Sequence, residues 1–106
     1  MAVYATTTTL DTPRATRIGN SPMGVLSGSV NLTNYNSAKV AVTAITGQFR
    51  GGSNLRVIPE AVSSNGQLVA WDEASSAFKC YVTTTGAEVA NDVNVGTFGF
   101  HAVGQM

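Results

Sequence analysis

The chain has 106 residues, with six Lys and Arg balanced by six Asp and Glu. That length is the size of one domain. Zero net charge leaves no basic footprint for nucleic acid or for an anionic membrane, and an apolar share of 43% is too high for a disordered chain. Only 11% of residues are charged, against ~25% in ordinary soluble domains. A neutral surface rich in Thr, Ser and Asn suits a protein packed against other copies or a partner.

Residues 1–24 read as an extended N-terminal arm. Thr6, Thr7, Thr8 and Thr9 run consecutively, and Cβ branching favours a pleated backbone. A short strand is expected over Val3 to Thr9. Val3, Tyr4, Thr6, Thr7, Thr8, Thr9 and Leu10 form the candidate partner interface, because the segment carries no charge before Asp11 and can order on contact.

Residues 25–106 read as one β-domain. Val25 to Leu32 predicts a strand, and Asn34 to Ser37 a turn. Lys39 to Thr46 reads as a central strand, because both of its alternating faces are fairly apolar. Gly51 to Asn54 breaks the chain, Leu55 to Ile58 resumes it, and Pro59 marks an edge or strand end. Ser63 to Gly66 is a turn. Gln67 to Trp71 and Phe78 to Thr83 read as a hairpin. Ala87 to Asp92 carries the chain across, with at most one helical turn. Thr97 to Val103 closes the fold, with Phe98, Phe100 and Ala102 on one face and Thr97, Gly99, His101 and Val103 on the other. About seven or eight short strands separated by turn signals predict an all-β fold, a small β-sandwich or jelly-roll-like barrel.

Residues that carry chemistry are scarce. Cys80 is the single cysteine. It alternates with Phe78 and Val82, which fits a buried structural thiol in a protein made in a reducing cytosol. His101 is the single histidine, mid-strand, with no nucleophile or orienting partner beside it in sequence. Asp72 or Glu73 with Glu88 is a conceivable acid pair, but Asp in turns has ordinary backbone reasons. One Cys and one His make a poor zinc site. Neither a P-loop nor a dinucleotide fingerprint is present. No catalytic residue, metal or cofactor is therefore expected, and the chain reads as a non-enzyme. Asn31-Leu32-Thr33 matches a glycosylation sequon, but the N-terminus has neither the basic nor the apolar region of a secretory signal. No run is long enough for a transmembrane helix. Trp71, Tyr35 and Tyr81 are candidate sugar platforms, although Trp71 ends the apolar run Leu68-Val69-Ala70 and reads first as core.

The stretch from Gln67 to Gly104 resembles small structural proteins of tailed bacteriophages. The matching pieces are Trp71-Asp72 at a strand end, Phe78-Lys79-Cys80-Tyr81 returning, the turn Thr85-Gly86-Ala87-Glu88-Val89-Ala90, and the closing strand Val95 to Gly104. They cover about a third of the chain and exclude the Thr-rich arm. The resemblance implies a capsid decoration (cement) protein on the outer surface of the virion shell, made in the host cytoplasm. Its partners would be the major capsid protein and itself, as a homotrimer. The alternative is a phage tail or appendage module that binds a host glycan or another receptor.

Overall fold

The computed structural model describes residues 3–50 and 55–106. Among them the chain is all-β and sandwich-like, with seven strands in antiparallel sheets, as the turn spacing predicts. The larger sheet holds β1 (Ala5–Leu10), β2 (Thr16–Arg17), β3 (Met23–Asn34), β4 (Arg56–Pro59) and β7 (Gly96–Gln105). Its order is β1-β3-β7-β4, and β2 pairs with the β3 segment that β1 leaves free. The smaller sheet is the hairpin of β5 (Leu68–Asp72) and β6 (Ala77–Tyr81). The expected break at Gly51 to Asn54 lies outside the described residues.

The long strands set the shape. β3 has 12 residues, which at ~3.3 Å each is ~40 Å, close to the long dimension of a 44 × 22 × 22 Å molecule. β3 pairs with β7 from Met23↔Gln105 to Leu32↔Gly96. Alternation divides their side chains. Leu26, Val30 and Leu32 from β3 and Phe98, Phe100 and Ala102 from β7 are buried on one face. The hairpin covers that face with Val69, Ala77, Phe78 and Cys80. Phe78 meets Trp71 and Phe98 edge-on, with ring centroids 4.9 and 4.8 Å apart, the arrangement the ring quadrupoles favour.

Two tyrosines tie the sheets together. Tyr4, just before β1, crosses the core to the open side of β6. Its hydroxyl donates to Phe78 O (3.1 Å) and accepts the Phe78 N–H (3.0 Å). Tyr35, just after β3, accepts the Cys80 N–H (3.4 Å) and donates to Glu88 Oε2 (2.5 Å). Val89 N–H donates to Cys80 O, and Val82 N–H to Ala87 O. The backbone groups of β6 that face away from β5 thus find partners in side chains and in residues 87–89, as buried polar groups must. The chain itself crosses between sheets at residues 60–62. Glu60 N–H still pairs with Gly99 O, whereas Ala61 O already accepts from Val69 and Val62 bridges to Leu68.

One expected strand is corrected. Lys39 to Thr46 forms no strand, and Thr43–Thr46 is a single helical turn, α1. Val42 and Ile45 are buried, while Val40 is 55% exposed. A spacing of three, not two, therefore matches the residues that reach the core. Gly47 closes the turn with its N–H on Thr43 O (2.8 Å), where a Cβ would lie 2.7 Å from that oxygen. The first strand also sits slightly later than expected, at Ala5–Leu10 rather than Val3 to Thr9.

Candidate binding surface

The residues expected as a partner interface lie along this chain's own β3. Thr6 pairs with Leu32, Thr7 with Asn31, Thr8 with Val30, Thr9 with Ser29 and Leu10 with Gly28. Val3 is 68% exposed, whereas Tyr4 is buried in the core at 4%. Thr7 and Thr9 are exposed, Thr6 and Thr8 half-buried, and Leu10 packs against the core. Tyr4 and Leu10 therefore anchor the segment to the body, and Thr6 to Thr9 stay at its rim.

β1 ends its sheet, and no described residue pairs with its outer side. The phase of its ladder follows from one bond, Asp11 N–H to Ser27 O at 3.0 Å. Bonded pairs recur every second residue in an antiparallel ladder, so Thr9 and Thr7 point their backbone groups toward β3. Thr8 and Leu10 point theirs outward. An edge is usually blunted by charge, Pro or a covering element. At the opposite edge, β4 carries Arg56 and Pro59. β1 has no charge and no proline.

No element among the described residues covers the outer face of the larger sheet. Its rows run Thr16–Val25–Val103–Arg56 and Ser27–His101–Ile58 across the strands. Val25 is 41% and Ile58 63% exposed. A groove of about 340 Å³ lies on this face, lined by Asp11, Ser27, Ile58, Glu60, Gly99 and His101 among others. Asp11 Oδ2 accepts the Ser27 hydroxyl at 3.0 Å. Glu60 Oε1 accepts the Gly99 N–H, and its side chain fills the space a Cβ at Gly99 would need (Oε1 at 2.9 Å).

Sequence spacing did not bring these residues together, because only strand register does. Ser27 stands directly across from His101, so His101 has a hydroxyl neighbour after all. The order is nevertheless unlike a hydrolytic triad, in which the imidazole takes the serine proton and the carboxylate orients the imidazole. Here the Ser27 hydroxyl donates to Asp11 itself. No group of three or more His, Cys, Asp or Glu that could hold a metal occurs among the described residues.

The other sequence candidates are accounted for by packing. Cys80 is fully buried, and burial pushes its thiol up to about 12. Tyr35 is buried, and Trp71 packs against the core beside Phe78. Tyr81 is half-buried, with the Lys79 ammonium 5.6 Å from its ring centroid. Asp72 closes the β5–β6 turn. The Ser75 hydroxyl (2.9 Å) and Ala74 N–H (3.2 Å) on its carboxylate hold its carboxyl below the usual range. Glu88 pairs with Lys39 at 3.8 Å and accepts the Tyr35 hydroxyl. No described helix is long and apolar enough to cross a membrane. Comparison of the chain with protein-family models, with curated proteins and with solved structures finds no match.

Proposed function

We propose that this chain is a virion structural protein, a capsid decoration protein that binds the outer surface of a tailed phage's major capsid protein shell and reinforces it. The observation that carries this reading is the uncharged, unblunted edge of β1 on a stiff two-layer body. The resemblance of residues 67–104 to phage structural proteins supports it from the other end of the chain. In this reading β1 accepts an extended segment of the capsid protein as an added strand. The outward backbone groups of Thr8 and Leu10 supply the hydrogen bonds, and no charge has to be desolvated. A homotrimer would repeat the contact around a symmetry axis and gain avidity from modest area. The work is binding without turnover, on the head surface, by a protein made in the host cytoplasm.

The test is Thr8→Pro. Proline removes the N–H that faces outward and spares the bonds from Thr7 and Thr9 to β3, an arrangement an edge strand tolerates. The variant should fold, shown by an unchanged near-ultraviolet dichroism spectrum, and lose occupancy on purified shells. Thr8→Val, which keeps the donor and the shape, should bind as the parent does. Full occupancy by a folded Thr8→Pro protein would overturn the reading.

A further inference from the structure

We propose that in the free protein the β1 edge is covered by the β1 edge of a second copy, in an antiparallel pairing whose two-fold axis passes through Thr8. This deepens the reading above and rests on the same open edge, but it needs no capsid. On a shell, the capsid segment would take the place of the second copy.

The register follows from the backbone. Thr7 and Thr9 bond to β3, so Thr6, Thr8 and Leu10 present their N–H and C=O groups outward. Opposed residues of an antiparallel pair bond only where both point their groups into the gap. An axis through Thr8 sets Thr8 against its own copy and Thr6 against Leu10 of the copy. Every outward group from Thr6 to Leu10 then has a partner, for about six hydrogen bonds. An axis between two residues would oppose outward groups to inward ones and form none. An axis at Thr7 would need Tyr4, which lies before the register shift between Ala5 and Thr6. An axis at Thr9 would need Thr12, which lies beyond the strand.

The side chains fit the same symmetry. A two-fold contact is self-complementary, so a charge beside the axis would meet its own copy. β1 carries none. The first charge, Asp11, would stand about 20 Å from its copy, where screening by salt removes most of the repulsion. On the exposed face, Thr7 would stand opposite Thr9 of the copy as a close, non-hydrogen-bonded pair, and Thr–Thr pairs across strands are favourable. On the inner face, Leu10 packs against the core and would meet the methyl group of Thr6 of the copy.

The opposite edge is a poorer occupant. The bond from Glu60 N–H to Gly99 O puts Ile58 and Arg56 in the phase that faces β7, which leaves Val57 and Pro59 outward. Pro59 has no N–H to give. A head-to-tail ring of β1 on β4 therefore forms fewer bonds than β1 on β1. The two-fold pair also closes, because it leaves no β1 edge to recruit a further copy.

Sedimentation equilibrium of the full chain tests the pairing. The mass should rise with concentration from one chain to two and stop there. Thr7→Lys combined with Thr9→Lys sets ammonium groups against each other across the pair, and Thr7→Asp combined with Thr9→Asp sets carboxylates. Both positions are exposed, so each double variant should keep the parent's near-ultraviolet dichroism. Each should dimerise at least about tenfold more weakly than the parent. Their equimolar mixture should regain the dimer, because opposite charges then face each other. A parent chain still monomeric at about 1 mM, a mass of three chains, or a mixture no tighter than its components would each overturn the proposal. The outcome on shells is separate. Full occupancy by folded Thr8→Pro overturns the capsid reading whatever the mass in solution, and a monomeric parent overturns the dimer whatever its occupancy.

Discussion

The hydroxyl of Tyr4 illustrates how much one atom carries in a domain this small. It satisfies both the N–H and the C=O of Phe78 inside the core. Burial is the main reason its ionisation is pushed well above the ordinary tyrosine range. Tyr4→Phe keeps the ring against Tyr35, at 6.0 Å between centroids, but orphans two buried backbone groups. Each orphan costs about 1–3 kcal/mol. The variant is expected to lose about 2–6 kcal/mol, measured as a lower midpoint in urea unfolding with the slope unchanged. A loss confined to a few tenths of a kcal/mol would mean that water reaches Phe78 and replaces the hydroxyl. Nothing local in Val3-Tyr4-Ala5 announces this role, since donor and acceptor lie 74 positions apart in the chain. Cys80 is the opposite case. Its alternation with Phe78 reads directly as burial, and it is buried.

At the scale of elements, strong period-two patterns were legible and registers were not. β7 alternates buried and outward residues along its whole length, as Phe98, Phe100 and Ala102 predict. The β5–β6 hairpin closes where Asp72 and Ser75 mark its turn. Residues 39–46 misled because two apolar faces fit a central strand and a short helical turn equally well. Tertiary packing of Val42 and Ile45 decided it. The groove is invisible in sequence for the same reason, because Asp11, Ser27, His101 and Glu60 meet only through the pairings of four strands. Register also changes what the N-terminal segment is for. A chain begun at Asp11 would lose the six-residue β1, the Leu10 contact and the Tyr4 clasp. Burial of Tyr4 and Leu10 at about 1.5–3 kcal/mol each, with the orphaned Phe78 groups besides, approaches the 5–15 kcal/mol that holds a domain together. The truncated protein is expected to lose its near-ultraviolet signal and unfold without a sharp transition. A cooperative melt close to that of the full chain would show β1 to be dispensable to the body.

For the whole molecule, the alkaline pH dependence of stability falls on three buried groups. Cys80, Tyr4 and Tyr35 all lose protons less readily when folded, chiefly because burial disfavours the anion, and for Tyr35 also because its hydroxyl donates to Glu88. An unfolded chain gives up these protons from about pH 9 for the thiol and pH 10 for the phenols, the ordinary values. Above that range the native state holds more protons than the unfolded state, so stability falls as pH rises, by up to about 1.4 kcal/mol per pH unit for each group. Below pH 9 these three groups contribute no slope. The melting temperature, followed by Trp71 fluorescence, should therefore begin to drop near pH 9 and fall more steeply above pH 10. The first step belongs to Cys80, which starts the loss and reaches its own native value only near 12. Cys80→Ala lowers the plateau through the small cavity it leaves, but it should also move the onset of the decline up toward pH 10. An onset that stays near pH 9 in that variant would assign the alkaline loss to some group other than the buried thiol.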